Sequence, residues 1–266
     1  MLDVTLNLIA FLALLQAAVV VFRLPAKGRL FWASVAGAVA GPALWCAWAL
    51  ADGWVSSLST VLWVSITGSA AMFALVSRTS PQGWRLGPLL IPILAAVGLL
   101  ASLSSLVEQP PAPLVGGFGA WVVLHILVSV LTYSLLGLAA IASVSIFLQE
   151  RALKRKRPTA LTRMLPSVAD AELISGRLLL DSEIVLGLGL VTGLILQYVE
   201  TGTLLSVQNL EKMLFSATSF VLIGMLLIGH RICGVRGRLA ARVVLVSYLL
   251  LTLAYPGIKF VQQVIL

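Results

Sequence analysis

Apolar positions in this chain fall in continuous blocks, with neither the alternation of strands nor the stripes of surface helices. Eight blocks recur, at roughly 4–22, 30–51, 60–77, 87–106, 121–148, 182–198, 214–231 and 243–264. A run of about twenty residues, rising 1.5 Å per residue, crosses about 30 Å of hydrocarbon. Barrel strands would need period-two alternation, which the blocks lack. The pattern predicts an all-α fold, a polytopic membrane helical bundle of about eight transmembrane helices. It forms a single integral membrane domain over 1–266, with four helices in residues 1–119 and four in 120–266. The first block has neither a basic n-region nor an A-x-A cleavage site, which predicts a retained helix.

The segments between blocks alternate in charge. Arg23, Lys27 and Arg29 follow the first block, and Arg78 and Arg85 separate the third from the fourth. Arg151, Lys154, Arg155, Lys156, Arg157, Arg163 and Arg177 follow the fifth; Arg231, Arg236, Arg238 and Arg242 follow the seventh. Of the 18 Lys and Arg residues, only Lys212 and Lys259 lie on the other side. Basic loops stay cytoplasmic, so the helices should run N-out and C-out. The composition, 60% hydrophobic and 11% charged with a net charge of +8, then reads as topology and contact with anionic lipid. The lipid bilayer is the expected partner, and nucleic acid is not.

The connection 149–181 is the longest basic segment. Leu161, Met164, Leu165 and Val168 keep helical spacing up to Pro166, and Ser167 is placed to cap a following helix. We expect a basic amphipathic piece on the cytoplasmic face, followed by a helix running into the sixth block. A plain connector would carry the same charges. Gly41-Pro42, Pro88 and Pro92 suggest kinks in the second and fourth blocks.

Chemistry-bearing residues are few. Cys46 and Cys233 have no CxxC or CxxCH context, and we expect them not to pair with each other. There is no Gly-rich phosphate loop, HExxH, G-x-S-x-G or carboxylate pair within a block, so no catalytic constellation and no enzyme activity is expected. Asp181 and Glu183 are placed at the start of the sixth helix, where its dipole would favour them. The two histidines, His125 and His230, both lie in apolar blocks. His125 is about 6 Å below the outer end of its helix, and His230 is about 24 Å from the outer end of its own. Two axial ligands of one haem iron would bring their nitrogens within about 4 Å of each other. A depth difference near 18 Å excludes a single bis-histidine site. Each histidine is then either an interfacial residue bonded to a neighbouring helix or a ligand in its own leaflet. Trp45, Trp48, Trp54, Trp63 and Trp121 lie toward the outer side, Trp32 and Trp84 toward the inner. An aromatic belt accounts for both groups, and the outer excess would also suit docking of a flat apolar ring, with Trp121 one turn from His125.

The segments "HILVSVLTYSLLGLAAIASVSIFLQERALK", "LPSVADAELISGRLLL", "GLVTGLIL" and "GHRICGVRGRLAARVVLVSYLLLTLAYPGIKFV" resemble the cytochrome c assembly protein family. The likeness is to its HemX/YpjD-type bacterial inner-membrane branch, related to CcsA. It covers about residues 120–266, and the first four helices match in layout alone. The resemblance implies a bacterial inner (plasma) membrane location and a haem cofactor. It makes His125 an outward-facing haem ligand and His230 part of an intramembrane haem site. The family's Trp-rich WWD segment is replaced here by "YVETGTLLSVQNLEKML". No histidine stands near Leu266, where CcsA-type proteins place a second outer ligand. Two functions follow. One is a haem-binding or haem-handling accessory of cytochrome c and haem biogenesis. The other is a non-catalytic regulatory or scaffolding subunit, HemX-like, with both histidines structural. Either would work beside a haem-biogenesis or other membrane protein partner.

Overall fold

The computed structural model describes residues 2–23, 27–51, 57–107, 119–203 and 210–260. These residues form helices and their connecting turns, with no strand among them. The helices are α1 (Leu2–Arg23), α2 (Arg29–Ala49), α3 (Leu58–Thr79), α4 (Gly87–Val107), α5 (Ala120–Arg155), α6 (Ala160–Met164), α7 (Val168–Thr201), α8 (Leu210–Ile232), α9 (Arg238–Thr252) and α10 (Ile258–Phe260). Eight are long and apolar enough to cross a membrane, so the protein is a multi-pass membrane helical bundle. The sequence end of the eighth block and Trp54 fall outside the described residues.

Two compact units divide the chain. One gathers residues 1–117 with 155–166 and 262–266; the other gathers 118–154 with 167–261.

In the first unit small residues let α1 to α4 approach closely. Gly37 and Gly41 of α2 face α1, and a Cβ on Gly41 would sit 2.9 Å from Ala13 Cβ and 3.3 Å from Ala10 Cα. This is the small-xxx-small spacing by which membrane helices pack, where van der Waals contact replaces a hydrophobic driving force. Gly87 and Gly98 of α4 likewise seat Phe73 and Trp63 of α3. One polar cluster ties three helices together. Trp63 Nε1 donates to Asn7 Oδ1 at 3.1 Å, Ser102 Oγ donates to the same oxygen at 3.0 Å, and Asn7 Nδ2 donates to Ser105 Oγ at 3.1 Å. Trp45 and Trp63 therefore belong to the core, tilted against each other at 5.8 Å between ring centroids. Neither forms the belt or docking surface that the sequence suggested, because the indole of Trp63 finds a buried partner in Asn7. Both α2 and α4 continue through Pro42 and Pro92, while Pro88 occupies the first turn of α4, where its missing N–H costs nothing.

In the second unit α5 and α7 run antiparallel. Their register is set by His125 with Thr192 and by Ser143 with Ser175 at 3.4 Å, and Gly189 lies against Val128 between the two pairs. α8 packs on α7 with Gly187 receiving Phe220 and Gly224 receiving Glu183. α9 returns along α5 and α8. Tyr248 Oη donates to Tyr133 Oη at 3.0 Å, and Ser219 Oγ donates to the Ser247 carbonyl at 3.2 Å. α9 widens into a π turn at Leu253–Gly257 around Pro256, whose ring cannot take an ordinary helical hydrogen bond.

The helix expected to follow Ser167 and run into the sixth block is present, and most of 149–181 is helical. α5 extends to Arg155, and Ser167 caps α7 by accepting from Asp170 N at 3.2 Å. Between them lies the short α6, opened by a Thr159–Thr162 capping box. The sixth helix thus begins 14 residues before Ser182. Asp181 and Glu183 are interior residues and do not meet the N-terminal dipole. The physical reason is the Ser167 cap, which starts the helix in polar sequence, where hydropathy alone sees no membrane segment.

Candidate functional site

The two histidines lie near opposite ends of the second unit. Six residues along α8 from Gly224, His230 stands level with about Arg177 of α7, by extension of the Glu183–Gly224 pairing. Thr192, the partner of His125, is 15 residues further along α7, an axial separation of about 22 Å. Side chains that far apart serve separate sites, as their sequence positions indicated.

At its own end His125 is half-buried, with Nδ1 3.1 Å from Thr192 Oγ1. The Thr192 hydroxyl hydrogen is already committed to the Gly189 carbonyl at 3.1 Å, so the imidazole donates through Nδ1. The neutral ring then presents Nε2 as its free lone pair. Gly193 makes room for the ring, since a Cβ there would come within 3.0 Å of His125 Cε1. Trp121, one turn earlier on α5, is exposed.

At the opposite, basic end the turn between α8 and α9 builds a second imidazole site. Gly234 and Gly237 adopt φ of +63° and +65°, left-handed conformations that side chains disfavour. They fold Val235 back so that its N–H reaches the Gly229 carbonyl at 3.2 Å and its own carbonyl lies 2.9 Å from His230 Nδ1. A carbonyl only accepts, so Nδ1 carries the hydrogen and Nε2 of the neutral ring is free to bind a metal. The turn is pinned from two sides. Glu172 Oε1 accepts from Gly237 N at 3.0 Å, and Arg238 Nε donates to Glu150 Oε2 at 2.7 Å.

His230, itself exposed, borders an open cleft of about 750 Å³ between α5, α7, α8 and α9. Ser143, Ile146, Leu179, Leu226 and Val244 form part of its walls, and Arg177, Arg231 and Arg236 reach it at the basic end. Its size falls within the roughly 300–1,000 Å³ of cofactor sites, and its mostly apolar lining with a few polar groups suits them. Hydropathy cannot reveal it. The arginines read as topology markers in the sequence, because nothing local says that three of them converge.

A second residue, Glu183, reads in the sequence only as a helix-start carboxylate. Glu183 lies inside α7 with its Oε1 near Gly224, where a Cβ would approach to 3.1 Å. Its other oxygen, Oε2, is buried without a hydrogen-bond partner among the described residues. No group of three or more His, Cys, Asp and Glu side chains suited to a metal ion occurs among them either. Any metal at these histidines would need ligands from a cofactor or from outside the described residues.

Comparison with known proteins follows this geometry closely in extent. The family model described as "Cytochrome C assembly protein" matches residues 6–266, including the first four helices. A relative from Azospirillum brasilense, described as an uncharacterised 28.8 kDa protein in a nifR3-like 5′ region, is 48% identical over 272 residues. That similarity covers 99% of this chain and 98% of the relative. No solved structure gives a significant match.

Proposed function

From the premise that this chain belongs to the cytochrome c assembly protein family, we propose that it is a haem-handling accessory of the bacterial inner membrane. The coarser part, a multi-pass membrane protein of cytochrome c biogenesis, follows from membership and from the eight spanning helices. The finer part rests on one observation: His230, with Nε2 free and Nδ1 held by Val235, lines a largely apolar cavity of about 750 Å³.

The residues present fit haem. His230 would hold the haem iron through Nε2, and the apolar walls would contact the macrocycle. Bound haem would bring an iron centre able to cycle between oxidation states. The protein's own part is to fix the imidazole tautomer through Val235 and to hold the cleft open between α7 and α8. His125 is a second, outward-facing ligand candidate with its tautomer set by Thr192. It would offer weaker or partner-completed binding, because no cleft among the described residues adjoins its half-buried ring. No catalytic turnover is assigned to either site.

Haem content tests the reading. Protein purified from haem-replete cells should show a Soret band, and His230→Ala should remove most of it while leaving insertion intact. His125→Ala should have the smaller effect. A wild-type protein without haem would leave both histidines structural, and the regulatory or scaffolding reading would replace this one.

By the charge pattern the His230 cavity is expected on the cytoplasmic side. The native cysteines check this without engineering, because Cys46 is buried and Cys233 is exposed beside the basic turn. A membrane-impermeant maleimide should label Cys233 only after the inner face is opened. Labelling in intact spheroplasts would reverse the orientation.

A further inference from the structure

The cavity beside His230 combines two chemistries that the fold alone does not require together. Its deeper lining is apolar, and Leu173, Leu180 and Ile228 both line it and stand exposed, at 55%, 41% and 59%. In a membrane those side chains face hydrocarbon, so the cavity opens sideways toward lipid as well as toward the basic end. Arg177, Arg231 and Arg236 border it at that end. The acidic groups nearby are already engaged: Glu172, which also lines the cavity, accepts from Gly237 N, and Glu150 pairs with Arg238. None of the three guanidinium groups has a carboxylate partner among the described residues. The positive-inside rule explains why arginines lie at this end of the helices, but not why three from α7, α8 and the following turn meet at one cavity.

We propose that Arg177, Arg231 and Arg236 form a carboxylate-receiving rim, which makes the cavity selective for an apolar body carrying anionic groups at one edge. Resting on the haem reading, the ligand class is a free-acid tetrapyrrole, with its carboxylates at the rim and its ring among the apolar walls. A guanidinium offers paired N–H donors that match a carboxylate in bidentate fashion, and the exposed Arg177, Arg231 and Arg236 leave those donors open to a ligand. From Arg231 to Gly224 the lining of α8 runs about 10 Å along the helix axis, which gives the ligand body an apolar groove leading away from the rim. Selection by the rim acts on the carboxylates and is independent of the metal. An anionic phospholipid presents the same chemistry, a phosphate with apolar chains, and basic pockets between membrane helices do hold such head groups.

The test uses the full chain in phosphatidylcholine nanodiscs, titrated with haem, metal-free protoporphyrin and the dimethyl ester of each. Both free acids should bind, and the diesters should bind at least about tenfold more weakly, as expected for loss of charge-assisted pairs. The combined R177Q, R231Q and R236Q variant should lose that preference. His230→Ala should weaken haem and leave metal-free protoporphyrin within about twofold, which also reports that the variant is folded. Equal binding of acid and ester overturns the rim while leaving the haem reading intact. Binding of no tetrapyrrole overturns both. In nanodiscs containing phosphatidylglycerol, retention of that lipid by the wild type but not by the triple variant, without any acid preference for tetrapyrroles, would assign the rim to lipid and overturn the tetrapyrrole assignment.

Discussion

Replacing Gly41 by leucine should leave the protein unable to assemble its first four helices, seen as aggregation on size exclusion of the detergent extract. The alanine variant should be recoverable but less stable. In the structure a Cβ on Gly41 meets Ala13 Cβ at 2.9 Å, closer than unbonded carbons sit, and Ala10 Cα at 3.3 Å. Neither neighbour is the free end of a flexible side chain, so α1 and α2 must move apart. Such overpacking costs about 1–3 kcal/mol for a methyl or two, and more for a side chain with no space to occupy. A lowered melting temperature for Gly41→Ala, partly restored by Ala13→Gly in the double variant, would show that this contact carries the effect. An unchanged melting temperature in Gly41→Ala would mean that the helices do not approach as described.

Glu183 should respond in the opposite direction. Substitution by leucine is expected to stabilise the protein by about 1–3 kcal/mol, the cost of a buried polar oxygen left without a partner. In either protonation state Oε2 lacks a hydrogen bond among the described residues, and Gly224 leaves space beside the side chain. Carboxylates within membrane helices are costly and usually retained for a purpose. A rise of roughly 2–4 °C in melting temperature per kcal/mol would be the readout for a chain of this size. Glu183→Gln should change little, because it keeps a polar atom at the same place. A marked loss of stability in Glu183→Leu would show that the carboxylate has a partner in the membrane, such as water or a bound group.

Hydrophobic run length made the eight spanning helices legible, and their family followed from the segments between His125 and Val261. The antiparallel register of α5 and α7 was not legible, since it depends on Ser143 meeting Ser175 and His125 meeting Thr192 across more than thirty residues. The Ser167 cap of α7 was legible, but Asp181 and Glu183 were placed at a helix start for a related reason. Hydropathy reports where a helix becomes apolar, whereas the helix itself begins at the Ser167 cap. That difference carried Glu183 from an expected helix end into the interior of one. Trp45 and Trp63 were misjudged because side-chain type says nothing of which face a helix turns inward, and Trp63 turns toward Asn7.

The sequence by itself determined that this chain is a membrane helical bundle, which loops are basic, and that its histidines are too far apart in depth to share one iron. These follow from quantities local to the chain, namely the length of an apolar run, the rise of a helix and the charge beside its ends. Only the tertiary structure decided that His230 offers Nε2 and not Nδ1, because that depends on a carbonyl brought back by two left-handed glycines. It alone decided that three arginines border one cavity with that imidazole. Convergence of side chains from different helices is set by how the helices pack, and no single segment encodes it.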